Sequence, residues 1–186
     1  MSQVVLPHDA KAGPTKPEIR AVSLEKLDLR PSDHVVDVGS CTGAVTIEAA
    51  RRADRVTAIE RKPDRLDVTR KNLDANEYDA EVLLRATEAP DGIPEGADAM
   101  FVGGSRNFEA VLDRAVETGV DRIVMNVSRV EVAGDAIEAF RARDLLAEVL
   151  QVQVHHGYEL AGATSFQGEN PVYVIVGRCG SGGVAE

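Results

Sequence analysis

The stretch that most constrains this chain is His34 to Gly43, His-Val-Val-Asp-Val-Gly-Ser-Cys-Thr-Gly. A short β-branched run ends in a turn bracketed by Gly39 and Gly43, and from Ala44 the apolar spacing becomes helical. Such a run belongs to a strand buried within a parallel sheet, while the glycines let backbone approach a ligand closely. The helix that follows offers unpaired N–H groups at its start. Downstream, Arg55-Val-Thr-Ala-Ile-Glu60 reads as a second strand closed by an acid, at a distance that suits a carboxylate for ribose hydroxyls. Strand, glycine turn, helix, strand, acid is an order that predicts a nucleotide lying over the turn.

The rest of the chain repeats that alternation. Thr15-Lys-Pro-Glu18 has the form of a capping box, and the helix it opens turns Ile19, Val22, Ser23 and Leu27 inward before Arg30-Pro31 breaks it. Pro63 opens a helix with Leu66, Thr69 and Leu73 on one stripe, ending near Asn76. Ala80–Arg85, Asp98–Val102 and Asp121–Val127 read as strands, with a loop over residues 89–96. Phe108, Val111, Leu112, Ala115 and Val116 form the clearest helical stripe, capped by Gly119. Ile137 and Phe140 mark another helix, Val149–Leu160 a long strand and Val172–Val176 a last one. The expected fold is α/β: a single doubly wound, mostly parallel seven-stranded sheet in which the final two strands pair as an antiparallel hairpin. The 186 residues read as one domain, with residues 1–13 an irregular lead and the Gly-rich residues from Cys179 to 186 a loose tail.

Charge narrows the partners. A net charge of −10 argues against nonspecific nucleic-acid binding, because the phosphate backbone demands a basic face. Arg supplies most of the cations and there are only five Lys, a balance compatible with a surface adapted to high salt. Two cysteines far apart, Cys41 and Cys179, suggest neither a metal cluster nor a disulfide framework. With no apolar run of membrane-spanning length and no basic-then-apolar leader, the chain reads as soluble and cytoplasmic.

Glycine spacing bears on the nucleotide. A dinucleotide fingerprint wants glycine at the first, third and sixth turn positions, where this chain has Gly39, Cys41 and Ala44, so a nicotinamide dehydrogenase is disfavoured. Asp37-x-Gly39-x-x-x-Gly43 with a strand-ending acid resembles the S-adenosylmethionine site of Rossmann-like class I methyltransferases. That family usually has Asp-x-Gly-x-Gly-x-Gly, so Cys41 stands where a glycine is expected. If the position demands positive φ, the substitution costs roughly 1–3 kcal/mol. Four further stretches narrow the likeness: Gly13-Pro-Thr-Lys-Pro-Glu-Ile-Arg20, Glu88-Ala-Pro90, Phe101-Val-Gly-Gly-Ser105 and Asn170-Pro-Val-Tyr173. Together with the turn they resemble the decarboxylating cobalt-precorrin-6B C15-methyltransferases of cobalamin biosynthesis, over roughly Gly13 to Gly177. The resemblance implies that S-adenosylmethionine is held by Thr15, Gly39, Ser40, Cys41, Thr42, Gly43, Glu60, Glu88 and Ala89. Glu88 stands where the family usually has Asp. The resemblance also implies a tetrapyrrole (cobalt-precorrin) substrate and a homotetramer. Other small-molecule or tRNA methyltransferases of this fold remain alternatives, as does a catalytically silent nucleotide-binding scaffold, favoured by Cys41.

The reaction so implied needs no metal. Methyl transfer from a sulfonium is an in-line displacement helped by alignment, and a conjugated macrocycle can accept the electrons of decarboxylation. A polycarboxylate substrate calls for arginines, which pair carboxylates bidentately. Arg106 and Arg129 follow the fourth and fifth strands, at the sheet edge where open α/β folds bind ligands. Gly103, Gly104 and Ser105 leave room there for a substrate. His155 and His156 point to opposite faces of a strand and are discounted as a catalytic or metal pair. Asn170-Pro171 shapes the start of the last strand.

Overall fold

The computed structural model describes residues 3–10, 13–104 and 106–180. β1 (His34–Val38) has β2 (Arg55–Ile59) and then β3 (Glu81–Arg85) on one side, β4 (Ala99–Val102) and then β5 (Arg122–Val127) on the other. All five are parallel. The chain thus runs outward from β1 to β3 and returns to the far side of β1, which opens a crevice at the C-terminal ends of β1 and β4. The β-branched run is buried on both faces. Val36 and Val38 pack with Val111, Leu112 and Ala115 of α4 (Phe108–Thr118) and with Ala136 and Phe140 of α5 (Val130–Arg141). The other face is covered by α1 (Pro17–Leu27) through Leu24 and Leu27, and by α2 (Ala44–Ala50) through Val45, Ala49 and Ala50. α3 is Pro63–Asp74. No helix among the described residues is long and apolar enough to cross a membrane.

The end of the sheet carries more than was expected. β6 (Leu146–Val152) and β9 (Val172–Arg178) do pair antiparallel, and β9 lies between β5 and β6. The stretch Val149–Leu160 is not one long strand, however. It breaks after Val152, and β7 (His155–Leu160) leaves the sheet to pair with β8 (Ala163–Gly168) as a separate two-stranded hairpin. Its two-residue loop, Ala161-Gly162, has φ of 51° and 78°. That is the left-handed pair a tight hairpin requires, but alanine replaces the Asn or Asp that ordinarily announces it.

Smaller departures have local causes. The capping box at Thr15 does not form: the helix begins at Pro17 with Lys16 as its N-cap and no side-chain cap bond. Proline at the first helical position has no N–H to satisfy, and it holds the preceding Lys16 extended, with ψ of 148°. Leu24 is buried where Val22 is only half-buried, and Val116 lies exposed at the margin of its stripe. Cys179 is not loose: its N–H donates to Asp121 O at 2.9 Å and its Sγ to Val120 O at 2.9 Å. Residues 181–186 of the expected tail, like residues 1–2 and 11–12 of the lead, lie outside the described residues.

Candidate active site

A cleft of about 320 Å³ opens where β1 and β4 end. The turn after β1 is its floor, and its shape follows from hydrogen bonds. Gly39 N–H and Ser40 N–H both donate to Ile59 O at the end of β2, at 2.8 and 3.2 Å, and Gly103 N–H donates to Val38 O at 2.9 Å. Gly39 has φ of 85°, and a Cβ there would lie 3.5 Å from Gly104 N, so two glycine-containing turns meet across the crevice. Gly43, φ 80°, starts α2; a Cβ there would stand 3.0 Å from Thr69 Cγ2 and 3.3 Å from Thr69 Cα. Cys41 adopts φ of 53°, the left-handed conformation that the family's usual glycine would take without strain. It does not block the cleft, which it lines. The fully buried Thr69 hydroxyl donates to Cys41 O at 3.0 Å and accepts from Ser40 Oγ at 3.1 Å.

Two carboxylates stand over this floor. Asp37, 1% exposed, accepts from Thr46 Oγ1 at 2.5 Å through Oδ2, while its buried Oδ1 has no hydrogen-bond partner among the described residues. Burial pushes its pKa up to about 6, the Glu60 charge adds to the rise, and the Thr46 bonds pull back against it. Glu60, 5% exposed, follows β2 and accepts Lys62 N–H at 3.0 Å. An orphaned, buried acceptor in a cleft fits a ligand that carries a cationic donor, and a second carboxylate one strand away fits a sugar diol.

The structure brings together most of the residues singled out by sequence. Thr15, Gly39, Ser40, Cys41, Thr42, Glu60, Glu88 and Ala89 line the cleft, as do Gly103, Gly104 and Arg106. Gly43 lies beneath it against Thr69. Glu88 and Arg106, expected to hold different ligands, pair with each other at 3.0 Å. Arg129 is not among the lining residues: it is the exposed N-cap of α5, because that helix begins immediately after it. Ser105 lies outside the described residues. His155 and His156 are exposed, and no group of three or more His, Cys, Asp or Glu among the described residues could hold a metal. Arg61 and Arg65 also line the cleft, and no carboxylate is paired with either among the described residues. Sequence reading passed them over, although their positions, beside Glu60 and in the first turn of α3, were a usable signal.

Strand order, glycine turn and the two acids define a class I, Rossmann-like methyltransferase. The chain belongs to the precorrin methyltransferase domain family, whose model matches residues 6–177. A Halobacterium salinarum protein named probable cobalt-precorrin-6B C(15)-methyltransferase (decarboxylating) is 70% identical over 177 residues, covering 95% of each chain. A Methanosarcina mazei protein of the same name is 40% identical over 185 residues, 96% of this chain and 98% of that one. Among solved structures, a precorrin 8W decarboxylase of Methanobacterium thermoautotrophicum superposes with a TM-score of 0.83 at 29% identity, covering 91% of this chain and 95% of that one. A precorrin-6Y C5,15-methyltransferase of Geobacter metallireducens gives 0.82 at 30%, covering 92% and 94%.

Proposed function

We propose that this chain transfers a methyl group from S-adenosylmethionine to C15 of cobalt-precorrin-6B and removes the C12 acetate carboxyl, giving cobalt-precorrin-7. The observation that carries the reading is the orphaned Asp37 Oδ1 in a cleft that Glu60 also lines, in a chain 70% identical to a protein of that name. S-adenosylmethionine supplies the electrophilic methyl. The chain's own residues bind and orient. Ionised Asp37 accepts from the donor's ammonium group, Glu60 accepts from the ribose hydroxyls, and Glu88 and Ala89 meet the adenine. Thr15 and the turn from Gly39 to Gly43 enclose the remainder.

Gly103 and Gly104 leave the acceptor carbon room to approach. Arg106 holds a substrate carboxylate while keeping its pairing with Glu88, since a guanidinium presents five N–H donors. Arg129, beyond the cleft at the end of the next strand, meets a carboxylate on the outer part of the macrocycle. On decarboxylation the bonding electron pair passes into the conjugated ring system and is taken up by a proton as carbon dioxide leaves. This asks alignment of the protein rather than a proton relay.

The same reading makes the chain a cytoplasmic homotetramer with neither nucleic acid nor membrane as partner, in keeping with its net charge of −10. Incubation with methyl-labelled S-adenosylmethionine and cobalt-precorrin-6B, followed by mass spectrometry, tests the activity. One methyl gained and one carboxyl lost is the expected product. Methylation without loss of the carboxyl, or no turnover, overturns it.

A further inference from the structure

Gly13, Pro14 and Thr15 form one wall of the cleft, at the end of a lead whose described residues form no helix or strand. Among the described residues no side chain of that lead belongs to the buried core, and Val5 is 52% exposed, so apolar packing does not set its path. Two amides on one side of α3 and just beyond it do. Asn76 Oδ1 accepts Val5 N–H at 3.0 Å and its Nδ2 donates to Val5 O at 2.7 Å. One helical turn earlier, Asn72 treats His8 the same way, at 3.0 and 2.8 Å. An amide bonded to both backbone groups of one residue copies the bonding of a neighbouring strand, so it holds main chain whatever the side chain. Asn72 also donates to Thr42 O, in the glycine turn, at 2.8 Å, and it is fully buried. At the other end of the wall Arg20 donates to Thr15 O at 2.7 Å and to Glu48 of α2 at 2.6 Å.

We propose that Asn72 is a positioning residue for the methyl donor: a single buried amide bonds the strap at His8 and the glycine turn at Thr42, and so sets the Gly13–Thr15 wall against the floor of the cleft. The proposal rests on reading the cleft as an S-adenosylmethionine site. A leucine would fill the same buried volume. The choice of an amide whose bonds all go to the backbone of two segments leading into one cleft is what points to placement of the wall.

The test measures S-adenosylhomocysteine binding by calorimetry in the full chain, with steady-state KM for both substrates. Asn72→Ala removes the clip, and Kd rises about tenfold, the equivalent of one net buried hydrogen bond. His8→Pro removes the N–H that Asn72 accepts and restricts main chain only in an exposed part of the lead, so the fold is kept, and Kd rises about threefold. In both variants KM for S-adenosylmethionine rises with Kd and KM for the tetrapyrrole stays within twofold of wild type. Wild-type Kd in His8→Pro and in folded Asn72→Ala overturns the assignment, as does an equal rise in both KM values, which marks general loosening. Wild type that shows no binding overturns the reading of the cleft itself.

Discussion

At the scale of single residues, the glycine turn contrasts two positions. Cys41, φ 53°, carries a left-handed strain of about 1–2 kcal/mol that glycine would not, while glycine in the unfolded chain returns about 0.4–1 of it. Cys41→Gly is therefore expected to leave thermal stability equal or slightly raised and S-adenosylhomocysteine affinity intact. Gly43→Ala adds strain at φ 80° and drives a methyl into Thr69, whose hydroxyl holds Cys41 O, so cofactor affinity falls at least tenfold. Melting curves and calorimetry on the two variants check this, and a tolerated Gly43→Ala would refute it.

Asp37 makes a pH-dependent prediction. Its pKa of about 6 in the empty protein lies above its unfolded value of 3.8, so its contribution to stability is complete below pH 3.8 and is lost as pH rises through 6. Ionising it in the empty site costs on the order of 3 kcal/mol. A cationic ligand binds the ionised form, so Kd for S-adenosylhomocysteine falls about tenfold from pH 5 to 7 and levels off above. At pH 6 binding releases protons, seen as a calorimetric heat that varies with buffer ionisation enthalpy. Asp37→Asn removes both effects and stabilises the empty protein at pH 8.

Between elements, a buried ion pair joins three parts of the scaffold. Arg122, at the start of β5, donates from Nη2 to Asp33 Oδ1 at 2.8 Å, and from Nη1 to Asp28 O and Leu27 O at the end of α1. Both side chains are 4% exposed, and the Asp33 bond holds the guanidinium pKa above its ordinary value. Breaking such a pair strands a charge in the interior. Arg122→Ala is expected to cost about 3–5 kcal/mol, lowering Tm by about 2–4 °C for each. Denaturant unfolding of Arg122→Ala measures the loss, and one below 1 kcal/mol would show the pair to be dispensable. The same scale explains the β7–β8 hairpin. Apolar-polar alternation continues from β6 into β7 whether or not the strand stays in the sheet, so periodicity could not locate the break.

For the whole molecule, that hairpin presents Tyr158, Leu160 and Phe166 at 46, 56 and 67% exposure, with the two aromatics on opposite faces. Apolar surface on both faces of an isolated hairpin suits burial between copies of the chain. Net charge of −10 per protomer opposes that association, and salt screens it. Light scattering after size exclusion should therefore find a tetramer at 2 M KCl that weakens at 0.1 M, and Phe166→Asp should dissociate it at both. Wild type monomeric at 2 M KCl would exclude the assembly.

By itself the sequence determined what depends on neighbours along the chain. The buried run of β1, the glycine turn and the acid closing β2 are local, because strand burial, positive φ and strand-end chemistry are encoded within a few residues. Glu88 and Thr15 were legible only through family likeness, since loops far apart in sequence carry no mutual periodicity. Tertiary structure alone decided that Arg61 and Arg65 line the cleft and Arg129 does not, that Arg106 and Glu88 pair, and that Asp37 is orphaned on one oxygen. It alone joined Asn72 to His8 and Thr42, 64 and 30 residues away. Those facts depend on which surfaces meet when strands β1 and β4 come side by side, and no local preference of the chain specifies that meeting.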